Sequence, residues 1–130
     1  MNNLMKDPNG YGPGEIVARL QRCICSGVEG IDYTFIPRDK NEALFRQYNI
    51  DSKKRRDIVS SLTVEDFVKW DYSNNASFNG IVYIFEKKVK LFPRYIEDAK
   101  ETDVELYIKL SWNDETNGIL VIISFHEKEF

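Results

Sequence analysis

Histidine occurs once in these 130 residues, at His126, and cysteine only twice, at Cys23 and Cys25. Transition-metal sites are built mostly from imidazole and thiolate, so this shortage argues against a zinc or other soft-ligand centre, and no cofactor is expected. The two cysteines stand two apart in a helical pattern, where their side chains diverge and cannot bridge, so no disulfide framework is implied. No apolar run approaches the length that spans a bilayer, and the first ten residues lack the basic-then-apolar plan of a secretory signal. A cytoplasmic protein with no membrane partner is the expectation. Repeats and low-complexity tracts are missing too, and the length suits one domain with its own core.

What is present is unevenly spread. The formal charge of −3 conceals a basic stretch from Thr34 to Asp57, with seven Lys and Arg against four acids. From Glu101 onward the balance reverses, with two Lys against seven acids. Such a chain could meet a polyanion on one side or a basic partner on the other. Its overall acidity argues against strong nonspecific nucleic-acid binding.

The first dozen residues are rich in Asn, Gly and Pro and read as a flexible arm, residues 1–13, ahead of a single domain, residues 14–130. A helix is predicted next, with Ile16, Leu20 and Cys23 or Ile24 in one stripe and Gly27 as its stop. Ile31 to Ile36 suits a short strand ended by Pro37. Residues 39–48 suit a second helix with Leu44 and Tyr48 inward, and Asp51 or Ser52 caps a third. That third helix opens on Lys53, Lys54, Arg55 and Arg56, cations that oppose the helix dipole unless they reach outward to an anion. Thr63-Val-Glu-Asp66 has the form of a capping box and predicts a short helix through Lys69 or Trp70. Asp71 to Gly80 reads as an exposed polar loop, Ile81 to Lys90 as a strand that emerges from the core, and Tyr95 to Lys100 as a short helix. Helices thus dominate the first half and strands the second, which predicts an α+β domain with N-terminal helices packed on one face of a C-terminal antiparallel sheet.

The last two strands carry the chemistry. Val104, Leu106, Ile108, Leu110 and Trp112 alternate with Glu105, Tyr107, Lys109 and Ser111, the period-2 pattern of a strand buried on one side. After Asn113 to Gly118 comes Ile119 to His126, whose greasier set is Ile119, Val121, Ile123 and Phe125. Joining core face to core face, with Trp112 across from Ile119, predicts Tyr107 opposite Ser124 and Glu105 opposite His126. Glu105, Tyr107, Lys109 and His126 would then share one nucleotide-sized surface. An imidazole, a carboxylate, a phenol and an ammonium suit acid/base chemistry on a phosphodiester, and a merely solvated polar face is the competing explanation.

Six segments in succession, Tyr48-Asn-Ile-Asp51, Asp57-Ile-Val-Ser-Ser-Leu62, Glu65-Asp-Phe-Val-Lys69, Tyr83-Ile-Phe-Glu-Lys-Lys-Val-Lys90, Leu106-Tyr-Ile-Lys-Leu110 and Ile123-Ser-Phe-His126, resemble the motility quorum-sensing regulator (MqsR) toxins. The resemblance implies a RelE-like fold and a metal-independent endoribonuclease, an mRNA interferase. It also implies a cognate antitoxin that neutralises it, single-stranded mRNA as substrate and, where cleavage needs translation, the ribosome as a further partner. Lys69 matches the lysine of the family's Asp-Phe-x-Lys segment and Tyr107 the tyrosine of its Tyr-x-Lys strand. His126 stands where members carry lysine or histidine. Residues 91–101 look like an insertion against the shorter members.

Metal-free RNA cleavage needs a base for the 2′-hydroxyl, a cation for the charged transition state and an acid for the leaving 5′-oxygen. His126, Tyr107 and Lys69 are the expected catalytic residues. Lys88, Lys90, Lys109, Glu105, Arg55 and Arg56 are the expected substrate contacts, with Glu105 orienting His126. The competing class is a non-catalytic RNA-binding regulator or a protein-interaction adaptor, for which His126 would be dispensable.

Overall fold

The computed structural model describes residues 6–73, 80–113 and 118–129. Most of the expected polar loop, residues 114–117 and the first five residues of the expected arm lie outside these. The elements run α1 (Pro13–Cys25), β1 (Tyr33–Phe35), α2 (Asp39–Gln47), α3 (Ser52–Ser60), a single 3-10 turn (Val64–Asp66), β2 (Phe67–Tyr72), β3 (Ile81–Leu91), β4 (Thr102–Asn113) and β5 (Ile119–Glu127). The strands form one sheet in the order β1-β5-β4-β3-β2. The chain is α+β, and the three α-helices of the described residues all lie before residue 61.

The sheet is mixed, not purely antiparallel. β2 to β5 form an antiparallel meander, but β1, from the helical half, pairs parallel with β5 through Tyr33↔Leu120 to Phe35↔Ile122. β5 is therefore an interior strand, which is why it is apolar nearly throughout.

Helix limits follow local chemistry. Pro13 opens α1, where its missing N–H costs nothing, and Glu15 accepts from the Gly12 N–H at 3.2 Å. Gly27 follows its end because a Cβ there would stand 2.0 Å from the Cys23 carbonyl oxygen. Asp51 caps α3 by accepting from the Lys54 N–H at 2.7 Å. Ile16, Val17, Leu20, Ile24, Leu44, Ile58 and Val59 from the helices join Tyr83, Phe85, Leu106, Ile108, Leu110, Leu120, Ile122 and Phe125 from one sheet face in a single core. Burying each such side chain contributes roughly 1.5–3 kcal/mol. Within the expected arm, Asp7 is buried, accepts from Tyr83 Oη, and takes the Asn9 and Tyr11 N–H groups at 2.9 Å each.

Two predicted helices are not formed. After Thr63, Asp66 accepts from the Thr63 N–H at 2.9 Å as a capping box would, but the turn stops and the chain enters β2, so Lys69 lies on a strand. Phe67 and Trp70 find aromatic neighbours on the sheet, and that packing outweighs the local helix signal. The segment from Tyr95 to Lys100 is irregular, with positive φ at Tyr95 (61°) and Asp98 (55°). It is fastened instead by Arg94, which donates to the carbonyls of Phe45 (2.6 Å) and Tyr48 (2.8 Å) at the end of α2.

Candidate functional site

The helix-free face of the sheet carries the candidate site, and the register of β4 with β5 decides which side chains meet there. Trp112 pairs with Leu120 and Asn113 with Ile119, one step from the expected register. That step turns Leu120 and Ile122 into the core, both fully buried, and leaves Val121 and Ile123 on the opposite face with Val82. A bulge then adds one residue between Ile122 and Ser124 and restores the original parity. The two steps sum to a displacement of two residues. Tyr107 therefore pairs with His126 and Lys109 with Ser124, not Tyr107 with Ser124 and Glu105 with His126.

The bulge has a dedicated support. Asn41, buried on α2, donates from Nδ2 to the carbonyls of Ile36 (2.9 Å) and Ile123 (3.1 Å), while its Oδ1 accepts from the Phe125 N–H at 2.8 Å. One side chain thus satisfies the edge of β5 where β1 has ended.

Tyr107 and His126 stack, with ring centroids 5.2 Å apart and planes inclined by 20°. His126 Nδ1 lies 2.9 Å from the Glu127 carbonyl oxygen. A carbonyl only accepts, so in the neutral ring Nδ1 holds the proton and Nε2 the lone pair. This carbonyl orients the imidazole, the role expected of Glu105. Glu105 lies further along, across from Lys88, and its carbonyl accepts from the Lys128 N–H.

Beside the stack runs an open trough of about 960 Å³, lined by Arg38, Lys69, Asp71, Glu86, Tyr107 and Lys109 over a floor that includes Val82, Ile84 and Ile123. The acids in it are engaged: Asp71 lies 3.8 Å from Lys69, and Glu86 takes Lys128 at 2.9 Å. Burial raises the Tyr107 phenol above its ordinary pKa, with Glu86 and Asp71 adding to the effect. Burial lowers the Lys109 ammonium, and the Arg38 charge lowers it further.

Of the residues expected from the sequence, Lys69, Tyr107 and Lys109 line the trough, and His126, stacked on Tyr107, lines a neighbouring depression of about 300 Å³ beside Lys40 and Gln47. Lys88 sits one pleat further along, and Lys90 is paired with Asp103 at 2.9 Å at the far end of β3. Arg55 and Arg56 are not brought to this face. Arg55 lies over the rings of Phe35 and Phe45 on the helical side, and Arg56 donates to the Ile24 and Cys25 carbonyls, capping α1. The charge pattern alone gave no means of separating Arg38, which enters the trough, from its neighbours; only its place directly after Pro37 marks it. Among the described residues no group of three or more His, Cys, Asp or Glu is placed to hold a metal ion, and no helix is long and apolar enough to cross a membrane. Comparison with protein-family models, curated proteins and solved structures gave no match.

Proposed function

We propose that this chain is a RelE-like endoribonuclease toxin of the motility quorum-sensing regulator kind, cutting single-stranded mRNA on the open face of its sheet. The observation that carries the reading is the stacking of His126 on Tyr107, which lines a trough together with Lys69 and Lys109. His126 Nε2 takes the proton of a 2′-hydroxyl, and that oxygen attacks the adjacent phosphorus. The bond from phosphorus to the 5′-oxygen breaks, leaving a 2′,3′-cyclic phosphate and a 5′-hydroxyl. Lys69 stabilises the charge that builds on the phosphoryl oxygens. Lys109, whose proton is loosened by burial and by Arg38, supplies the proton to the leaving oxygen. The Tyr107 hydroxyl, protonated at neutral pH, donates to the phosphate while its ring offers a stacking surface. No step calls on a metal. The reading carries with it a cognate antitoxin, a cytoplasmic site of action and the ribosome as a source of exposed mRNA.

The test is cleavage of a defined single-stranded RNA in excess EDTA by wild type, His126→Ala and Tyr107→Phe, each with its folding checked. Cutting by wild type that falls by roughly 10²–10⁴ in His126→Ala supports the reading. Intact RNA with wild type, both free and on translating ribosomes, would move the assignment to an RNA-binding regulator or an adaptor.

A further inference from the structure

One cation in the trough remains without a role. Arg38 follows Pro37 at the exit of β1, and its Nη1 donates to Ser124 Oγ at 3.0 Å. Ser124 is buried and lies across from Lys109. It lies on the same face of the sheet as Lys109 because the bulge in β5 places it there, and Asn41, three residues beyond Arg38, holds that bulge. The guanidinium is thus held by one hydrogen bond to a buried hydroxyl, which leaves most of its five N–H donors available. Among the described residues no carboxylate pairs with it.

We propose that Arg38, positioned by Ser124, is the fixed fork that grips a phosphodiester of single-stranded RNA in this trough. The inference rests on the nuclease reading for its choice of ligand and adds to it the residue that sets where the backbone lies. Arg38 and Lys109 are both cations lining the trough without a carboxylate ion pair among the described residues, and their like charges repel one another, which adds to the burial that lowers the Lys109 ammonium. An anion between them would relieve that repulsion. Lys69 is already drawn toward Asp71, so it is the weaker candidate for the primary contact. A planar fork in fixed orientation suits two oxygens of one phosphate better than a flexible ammonium does.

The experiment measures binding of a 2′-O-methyl oligoribonucleotide, which cannot be cut by 2′-hydroxyl attack, across about 50–200 mM salt. The proteins are wild type, Arg38→Gln, Arg38→Lys, Ser124→Ala and, as a control on the helical side, Lys54→Gln. Removing one phosphate contact should reduce the slope of log affinity against log salt by about 0.7. Arg38→Gln should show that reduced slope and about tenfold weaker binding. Arg38→Lys should keep the slope and lose affinity, and Ser124→Ala should keep the slope with a smaller loss. Lys54→Gln should change neither quantity. Equal slopes for wild type and Arg38→Gln, or an equal loss in Lys54→Gln, would overturn the proposal. The EDTA cleavage assay separates the two claims. Cleavage by wild type with binding indifferent to Arg38 overturns only the fork, whereas Arg38-dependent binding without cleavage overturns only the nuclease. Absence of any binding by wild type overturns the fork, and the nuclease reading then stands or falls on cleavage of RNA free and on translating ribosomes.

Discussion

Lys109 costs the fold something to keep. Burial and the Arg38 charge disfavour its ammonium, so Lys109→Met should raise the thermal midpoint, by up to about 1 kcal/mol in stability, while RNA cleavage falls. Between its lowered folded pKa and the ordinary lysine value the unfolded chain binds more protons, so this group's penalty fades as pH rises through that window. Tyr107 behaves oppositely. Its raised phenol keeps a proton that the unfolded chain releases above about pH 10, so stability is lost as pH rises from there. Denaturation midpoints should therefore converge on, then drop below, those of Tyr107→Phe at alkaline pH, since that variant lacks the titration and shares every other group. Gly27→Ala should destabilise by about 1–3 kcal/mol in urea unfolding, because its Cβ would press on the Cys23 carbonyl and, at 2.7 Å, on Asp32 Cβ.

At the level of elements, the β5 bulge joins fold to site. Asn41→Ala would leave two carbonyls and one amide without their partner, a loss of about 3 kcal/mol measurable by chemical denaturation. Asn41→Asp should be worse, since a carboxylate would face the Ile36 and Ile123 carbonyls. The same strand shows what a sequence displays and what it hides. β4 was legible because Val104, Leu106, Ile108, Leu110 and Trp112 alternate cleanly with polar residues and are all buried. β5 was not, because a strand covered on both faces has no polar alternation to reveal its parity, and neither the one-residue step at its start nor the bulge leaves a local mark. The placement of Tyr107 and His126 on one surface was readable all the same, since two parity changes cancel. Their direct stacking was not, and neither was Asn41, which in sequence is an ordinary polar residue in the first turn of a helix. Thr63 to Asp66 gave a correct cap and the wrong element, because aromatic packing on the sheet decides the fate of Phe67 and Trp70.

Across the whole molecule, the basic stretch does not gather on one face. Its helical part is spent within the fold or on its own surface, with Arg55 on two aromatic rings, Arg56 at the end of α1 and the exposed Lys53 paired with Asp57 at 2.8 Å. Arg56→Gln should therefore lower stability by about 1–2 kcal/mol in thermal unfolding and leave oligonucleotide affinity unchanged. Arg38 escapes this pattern because it lies where the chain passes from β1 to α2, beside the trough.

The parallel pairing of β1 with β5 also sets an order of events in synthesis. Tyr33 must wait for Leu120, and the stretch that fills the sheet's interior is translated after everything it joins. Until Ser124 and His126 have left the ribosome, Arg38 has no anchor and Tyr107 no ring to stack on. A half-made copy holds the cations but not their arrangement, so under the proposed reading a product cut short before β5 should leave RNA uncut.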